Sequence, residues 1–178
     1  MSLPESMALY RGYPSIVEIH VDNGGEGTYK LVGNNCTVKA STEPNKFIVN
    51  PGSGKKVVLN VIDQSDSSHL LQRFELLVLH LPNPVLFFGA SRSGTKASKR
   101  GRVLFAKYPP EIPLTAKFLV VKWRIEVEGT AFNGTGYHLS DEANAFLETL
   151  ESGAILSAIV HVKGPDGIVR SMGAAWTF

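Results

Sequence analysis

The sequence has few of the residues that cross-link a fold or cross a membrane. Cys36 is the only cysteine among 178 residues, so no disulfide can form within the chain and a disulfide-stabilised scaffold is excluded. No apolar run approaches the roughly 18 residues of a membrane-spanning helix. The first residues lack the charged and apolar regions of a signal peptide, and residues 1–6 are typical of an expression leader. The composition, 43% hydrophobic and 19% charged, is that of an ordinary globular protein.

Groups that catalyse reactions or bind metals are also scarce. The five histidines are scattered, and none has metal-ligand spacing to another histidine or to the cysteine. No Gly-x-Ser-x-Gly motif is present. Gly89-x4-Gly94-Thr95-Lys96 resembles a phosphate-binding loop, but Thr and Lys are exchanged and a strand-like segment follows where a helix is needed. We therefore expect no catalytic residue, no metal, no cofactor and no enzymatic activity.

Short segments with alternating polarity, separated by Gly, Pro and Asn turns, predict a mainly β fold. The predicted strands cover residues 15–21, 29–32, 36–40, 46–49, 56–62, 74–81, 85–88, 117–128, 154–163 and 168–178. Residues 129–136 are predicted as a loop. The spacing of these strands is typical of a β-sandwich. We expect two tandem β-sandwich domains, the second with one short helix; their Ig-like character is implied by the family resemblance described below.

The domain boundaries follow from the Pro82-Asn83-Pro84 segment between two apolar runs, which predicts a stiff hinge. Residues 7–83 then form the first domain and residues 84–178 the second. Each is small enough that packing against a second copy of the chain would stabilise it.

One helix is predicted around residues 140–152. Ser140 is a good N-cap, Asp141 and Glu142 suit the positive end of the helix dipole, and Gly153 is the predicted C′ residue. The apolar stripe of this helix consists of Ala143, Phe146, Leu147 and Leu150.

Positive charge is concentrated in one segment of the second domain. Residues 1–83 contain 7 Lys/Arg and 8 Asp/Glu, whereas residues 84–178 contain 11 and 8. Six cations lie between Arg92 and Lys107 without a carboxylate. The Gly/Ser-rich part of this segment is either a flexible, solvated loop or a partner-contacting one. A net charge of +2 gives no reason to expect nucleic-acid binding.

The candidate partner-binding residues are the cations of this loop and two adjacent aromatics before it. They are Arg92, Lys96, Lys99, Arg100, Arg102, Phe87 and Phe88. Neighbouring strand residues face opposite ways, so one of the two phenylalanines is expected to be exposed or buried against a partner.

Several segments together resemble the C-terminal periplasmic region of the GldM/PorM family of gliding-motility and type IX secretion proteins of Bacteroidetes-type bacteria. They are ALYRGYPSIVEI at 8–19, NPGSGKKV at 50–57, LPNP at 81–84, the Gly-bearing basic loop, and KGPDGIVR at 163–170. Their order and spacing extend over nearly the whole chain.

The resemblance implies two Ig-like domains at the distal end of a homodimeric periplasmic shaft. That shaft is anchored in the inner membrane by an N-terminal helix that is absent from this sequence. It couples an inner-membrane motor to a ring under the outer membrane, so the expected partners are a ring lipoprotein and a soluble ring subunit. The alternative from the residues is a secreted or surface Ig-like module that binds carbohydrate or mediates adhesion.

Overall fold

The computed structural model describes residues 8–20, 28–65 and 69–178. These residues form strands in several sheets and, among them, one short helix, so the predicted mainly β fold class is confirmed. The chain divides into two compact units, Met1–Leu81 and Pro82–Phe178. The predicted leader at residues 1–6 and the end of the predicted strand 15–21 lie outside the described residues.

The first unit contains a four-stranded and a three-stranded sheet. Its strands β1 to β7 are Ala8–Tyr10, Ser15–Glu18, Tyr29–Asn34, Cys36–Ala40, Lys46–Pro51, Lys56–Asp63 and Leu70–Leu79. The strand orders are β1-β7-β6-β3 and β2-β5-β4, with β1 parallel to β7. Alternate residues of both sheets form an aliphatic core that includes Leu9, Val17, Leu31, Val49, Val57, Leu59 and Val61.

The second unit contains a three-stranded and a four-stranded sheet and the helix α1, Asp141–Thr149. Its strands β8 to β14 are Val85–Phe88, Ser91–Arg92, Leu104–Lys107, Leu119–Val127, Thr130–Thr135, Ile155–Lys163 and Val169–Thr177. The strand orders are β10-β8-β9 and β12-β11-β13-β14. The core is richer in aromatic residues than that of the first unit and includes Phe88, Trp123, Phe132, Trp176 and Phe178.

The strand β12 corrects the predicted loop at residues 129–136. Thr130–Thr135 pairs antiparallel with β11 along its whole length. Gly134, which argues against a strand in the sequence, is required there because a Cβ would lie 2.2 Å from the Trp123 ring. The glycine therefore makes room for the large inward-facing Trp123 on the neighbouring strand.

The helix begins as predicted and ends earlier. The Ser140 hydroxyl accepts a hydrogen bond from Ala143 N at 3.2 Å, which confirms the N-cap. Leu150 is the C-cap, with extended backbone (ψ 152°), so the prediction of Gly153 as C′ residue is wrong. Gly153 (φ +98°) lies in the turn that leads into β13.

Candidate functional site

The basic loop, residues 89–101, is fixed along its length by backbone hydrogen bonds. Near its start Ser93 N donates to Leu86 O at 2.9 Å. Gly94 N and Ala97 N donate to the carbonyls of Ala175 and Thr177 on β14, both at 2.8 Å. A segment whose backbone donors are paired in this way is held by the sheet. The backbone of the loop predicted to be flexible and solvated is therefore hydrogen-bonded to β14, and the loop extends the β14 edge.

Aromatic side chains of the core pack against the loop. The Trp176 ring N–H donates to Ser91 O at 3.0 Å, and the Phe88 ring lies 5.8 Å from that of Trp176. Phe88 also packs under Gly101, where a Cβ would lie 2.5 Å from the ring. The loop thus needs glycine at its end because the backbone lies directly on a core aromatic.

Neither of the two phenylalanines predicted to bind a partner is exposed. Phe88 is 1% exposed and Phe87 8% exposed. The Phe87 ring stacks on Phe105 at 5.2 Å, and Lys107 Nζ lies 4.7 Å from its centroid. The expectation that one ring is exposed or buried against a partner is corrected, because the chain's own Phe105 and Lys107 cover Phe87.

Two of the five predicted cations are bound to the helix α1. Lys99 Nζ donates to Leu150 O, at the C-terminal end of the helix, where a positive charge is favourable. Arg102 forms an ion pair with Glu148 at 2.9 Å. The structure therefore gives Lys99 and Arg102 a bonding role within the chain.

The other three cations are exposed and unpaired. Arg92, Lys96 and Arg100 are exposed, and within residues 8–20, 28–65 and 69–178 none of them has a carboxylate within ion-pair distance. We call them the free cations. A cavity of about 210 Å³ opens beside Arg100, and its lining includes Ser91 and Ser98. Because the backbone of the loop is already hydrogen-bonded, binding of an anionic group would require ordering of the cationic side chains only.

The resemblance to a phosphate-binding loop ends at Lys96. Lys96 forms a parallel β-bridge with Thr177, so no helix N-terminus follows that could hold phosphate oxygens. Among the residues that the structure describes, no group of three or more His, Cys, Asp or Glu side chains could hold a metal ion.

Sequence reasoning missed that the basic loop lies along β14. The two are separated by about eighty residues, and no pattern in either segment encodes their pairing. The exposed odd-numbered residues of β14 were visible in the sequence as small, uncharged residues at alternate positions.

No protein-family model matches the chain, and no curated protein matches it. In the part of the chain that the structure describes, no helix is long and apolar enough to span a bilayer.

Proposed function

We propose that the chain is a non-catalytic periplasmic interaction module that resembles the distal part of a homodimeric GldM/PorM shaft. In this role it docks onto a ring lipoprotein and a soluble ring subunit and transmits motor energy to them. The observation that carries the proposal is the pre-ordered basic loop with its three free cations. The sequence resemblance, which extends over both units, supplies the identity of the partners.

The charge arrangement favours recognition over stabilisation. A cation that stabilises its own fold is paired, as Lys99 and Arg102 are. Arg92, Lys96 and Arg100 form no such pair within the described residues, so their charge is available to an acidic partner. Charges of this kind accelerate association and select the partner, and their effect is screened by salt.

The test is capture of purified ring lipoprotein and soluble ring subunit by the immobilised chain at low and high salt. We expect capture that weakens as salt rises. The triple variant Arg92→Glu, Lys96→Glu, Arg100→Glu should lose capture and keep its circular-dichroism spectrum.

The matched control reverses three exposed lysines of the first unit, Lys30, Lys39 and Lys55, which changes the net charge equally. Equal loss in both triple variants would show that only net charge matters and would remove the basic loop from the proposal. No capture by the unmodified chain would contradict the shaft role and favour the carbohydrate-binding or adhesion alternative.

A further inference from the structure

The strand β14 forms one edge of the four-stranded sheet and is regular along its whole length. It pairs with β13 from Val169 to Thr177 without a register shift. Its even-numbered side chains face the core, whereas its odd-numbered side chains are exposed. A long regular edge strand presents a row of backbone donors and acceptors, so the partners of those groups matter.

The pairing with β13 fixes which backbone groups face outward. Gly164 N donates to Ile168 O, and Phe178 N donates to Ala154 O, both at 3.0 Å. Because hydrogen-bonded pairs alternate along an antiparallel ladder, the even-numbered residues of β14 bond to β13. The N–H and C=O groups of Val169, Ser171 and Gly173 therefore point away from the sheet.

At the C-terminal part of this edge, the outward backbone groups already have hydrogen-bond partners. Ala175 and Thr177 bond to residues 94–97 of the basic loop. Within the described residues, Val169, Ser171 and Gly173 have no hydrogen-bond partner on the outer edge. A Cβ added at Gly173 would meet no atom within 4 Å, so nothing covers the exposed face of the sheet at this residue. We call residues 169–173 the open edge.

The open edge lacks most of the features that usually block strand addition. Its exposed side chains are valine, serine and glycine, with no proline or bulge, and its one inward charge, Arg170, is paired with Asp166. Natural edges are commonly protected by these devices. An extended segment could add here with regular hydrogen bonds, as in known cases of strand addition.

The charges around the open edge select the occupant. Lys96 lies opposite Thr177, beyond the C-terminal end of the open edge, because residues 94–97 continue the same edge. Lys163 is exposed on the neighbouring strand β13, where it pairs with Val169 at the other end. Neither lysine has an ion-pair partner within the described residues. An added strand would thus have one lysine beyond its first end and another one strand away at its second end.

We propose that the open edge binds an extended acidic segment of a partner protein as an added β-strand. The inference rests on the proposed interaction role and specifies its chemistry: backbone pairing with Val169, Ser171 and Gly173, and carboxylates beside Lys96 and Lys163. Backbone pairing supplies affinity and the flanking charges supply selection.

The test is a titration of the ¹⁵N-labelled full chain, followed by NMR, with a blocked eight-residue peptide in which valine and glutamate alternate. We expect shifts at the amides of Val169, Ser171 and Gly173 below about 1 mM, the range of weak complexes. The matched peptide with lysine in place of glutamate should leave these amides unchanged.

Two pairs of variants separate strand addition from charge attraction. Ser171→Pro removes one outward donor at an edge position that tolerates proline and should weaken binding at least about tenfold, whereas Ser171→Ala keeps the donor and the affinity. Gly173→Asp places a carboxylate on the exposed face of the sheet and should also weaken binding, with Gly173→Ala as its control. This second pair serves if the proline variant does not fold.

Four results would overturn the proposal: no shifts with the acidic peptide, shifts confined to the free cations, equal binding by the lysine peptide, or equal binding by both members of each variant pair. Self-association of the unmodified chain that Ser171→Pro abolishes would also overturn it, in favour of pairing between two copies. If the peptide fails while ring capture persists, strand addition falls and the proposed function stands. If the peptide binds while ring capture fails, strand addition stands and the proposed function falls.

Discussion

The two compact units use their charged side chains differently. In the first unit, several surface cations are paired with carboxylates: Lys46 lies 2.5 Å from Glu43, and Lys56 and Arg73 each lie 3.4 Å from Glu75. The hydrogen bond to Glu43 raises the pKa of Lys46. Pairs at the surface are screened by solvent and contribute little to stability. Other cations of this unit, Lys30, Lys39 and Lys55, are exposed and have no ion pair within the described residues.

The second unit contains both a buried ion pair and exposed cations without a carboxylate partner among the described residues. Arg170 and Asp166 form a two-point ion pair at 3.0 and 2.5 Å with side chains only 7% and 0% exposed. The hydrogen bond to Asp166 raises the pKa of Arg170. Arg92, Lys96 and Arg100, by contrast, have no carboxylate partner within the described residues. The ion pairs of the first unit thus lie at the surface, whereas the second unit holds a buried pair, and the free cations take part in neither kind of pair within the described residues.

The largest expected change in the free energy of unfolding follows from breaking the buried Arg170–Asp166 pair. Asp166→Ala leaves the Arg170 charge buried without its partner and should lower the free energy of unfolding by about 3–5 kcal/mol. Both tryptophans, Trp123 and Trp176, lie in the second unit's core, so urea unfolding followed by tryptophan fluorescence reports the change.

The matched variant in the first unit is Glu75→Ala, which removes the partner of two exposed cations. Its unfolding, followed by circular dichroism, should change by no more than about 1 kcal/mol. Equal losses in the two variants would contradict the distinction between the units.

A smaller effect should divide the cations within the basic loop. Lys99→Met removes the charge at the C-terminal end of α1 and should cost about 0.3–1 kcal/mol of stability. Lys96→Met should leave stability unchanged and weaken partner capture instead. Thermal unfolding and ring capture, measured on both variants, check this. If Lys96→Met destabilises the fold as much as Lys99→Met, Lys96 is not a free cation.

The smallest effect concerns the thiol of the first unit. Partial burial raises the pKa of Cys36, so its folded-state pKa lies above the unfolded value. The stability linked to this group is therefore present below the unfolded pKa and is lost as the pH rises through the thiol's alkaline titration range. Alkylation at pH 8 should be slower in the native chain than in urea, because less thiolate is present. Equal rates would show that the thiol is fully accessible.

Local sequence patterns predicted most of the elements but not their long-range partners. A short apolar run predicted Val85–Phe88 at its observed bounds, and Cys36–Ala40 was also predicted at its observed bounds, because buried and half-buried strands have recognisable patterns of apolar residues. Thr130–Thr135 was missed because its glycine is explained only by Trp123 on the neighbouring strand. Such a requirement becomes visible only when the two strands are paired.

The sequence predicted the cluster of cations at the candidate site but not the contacts of the individual side chains. Counting cations located the basic loop, but the count could not divide Lys99, which caps a helix 51 residues away, from Lys96, which is free. One of Phe87 and Phe88 was expected to be exposed or buried against a partner because neighbours alternate in a strand, yet Phe105 on the paired strand β10 covers Phe87. Both outcomes depend on contacts between segments distant in sequence.

Hydrogen–deuterium exchange of the full chain, with and without the captured ring proteins, tests whether the second unit carries the partner-binding surface. We expect slower exchange of amides in residues 89–101 and 169–173 when the partners are bound, with the first unit unchanged. Protection confined to the first unit would contradict the claim that the second unit carries the partner-binding surface.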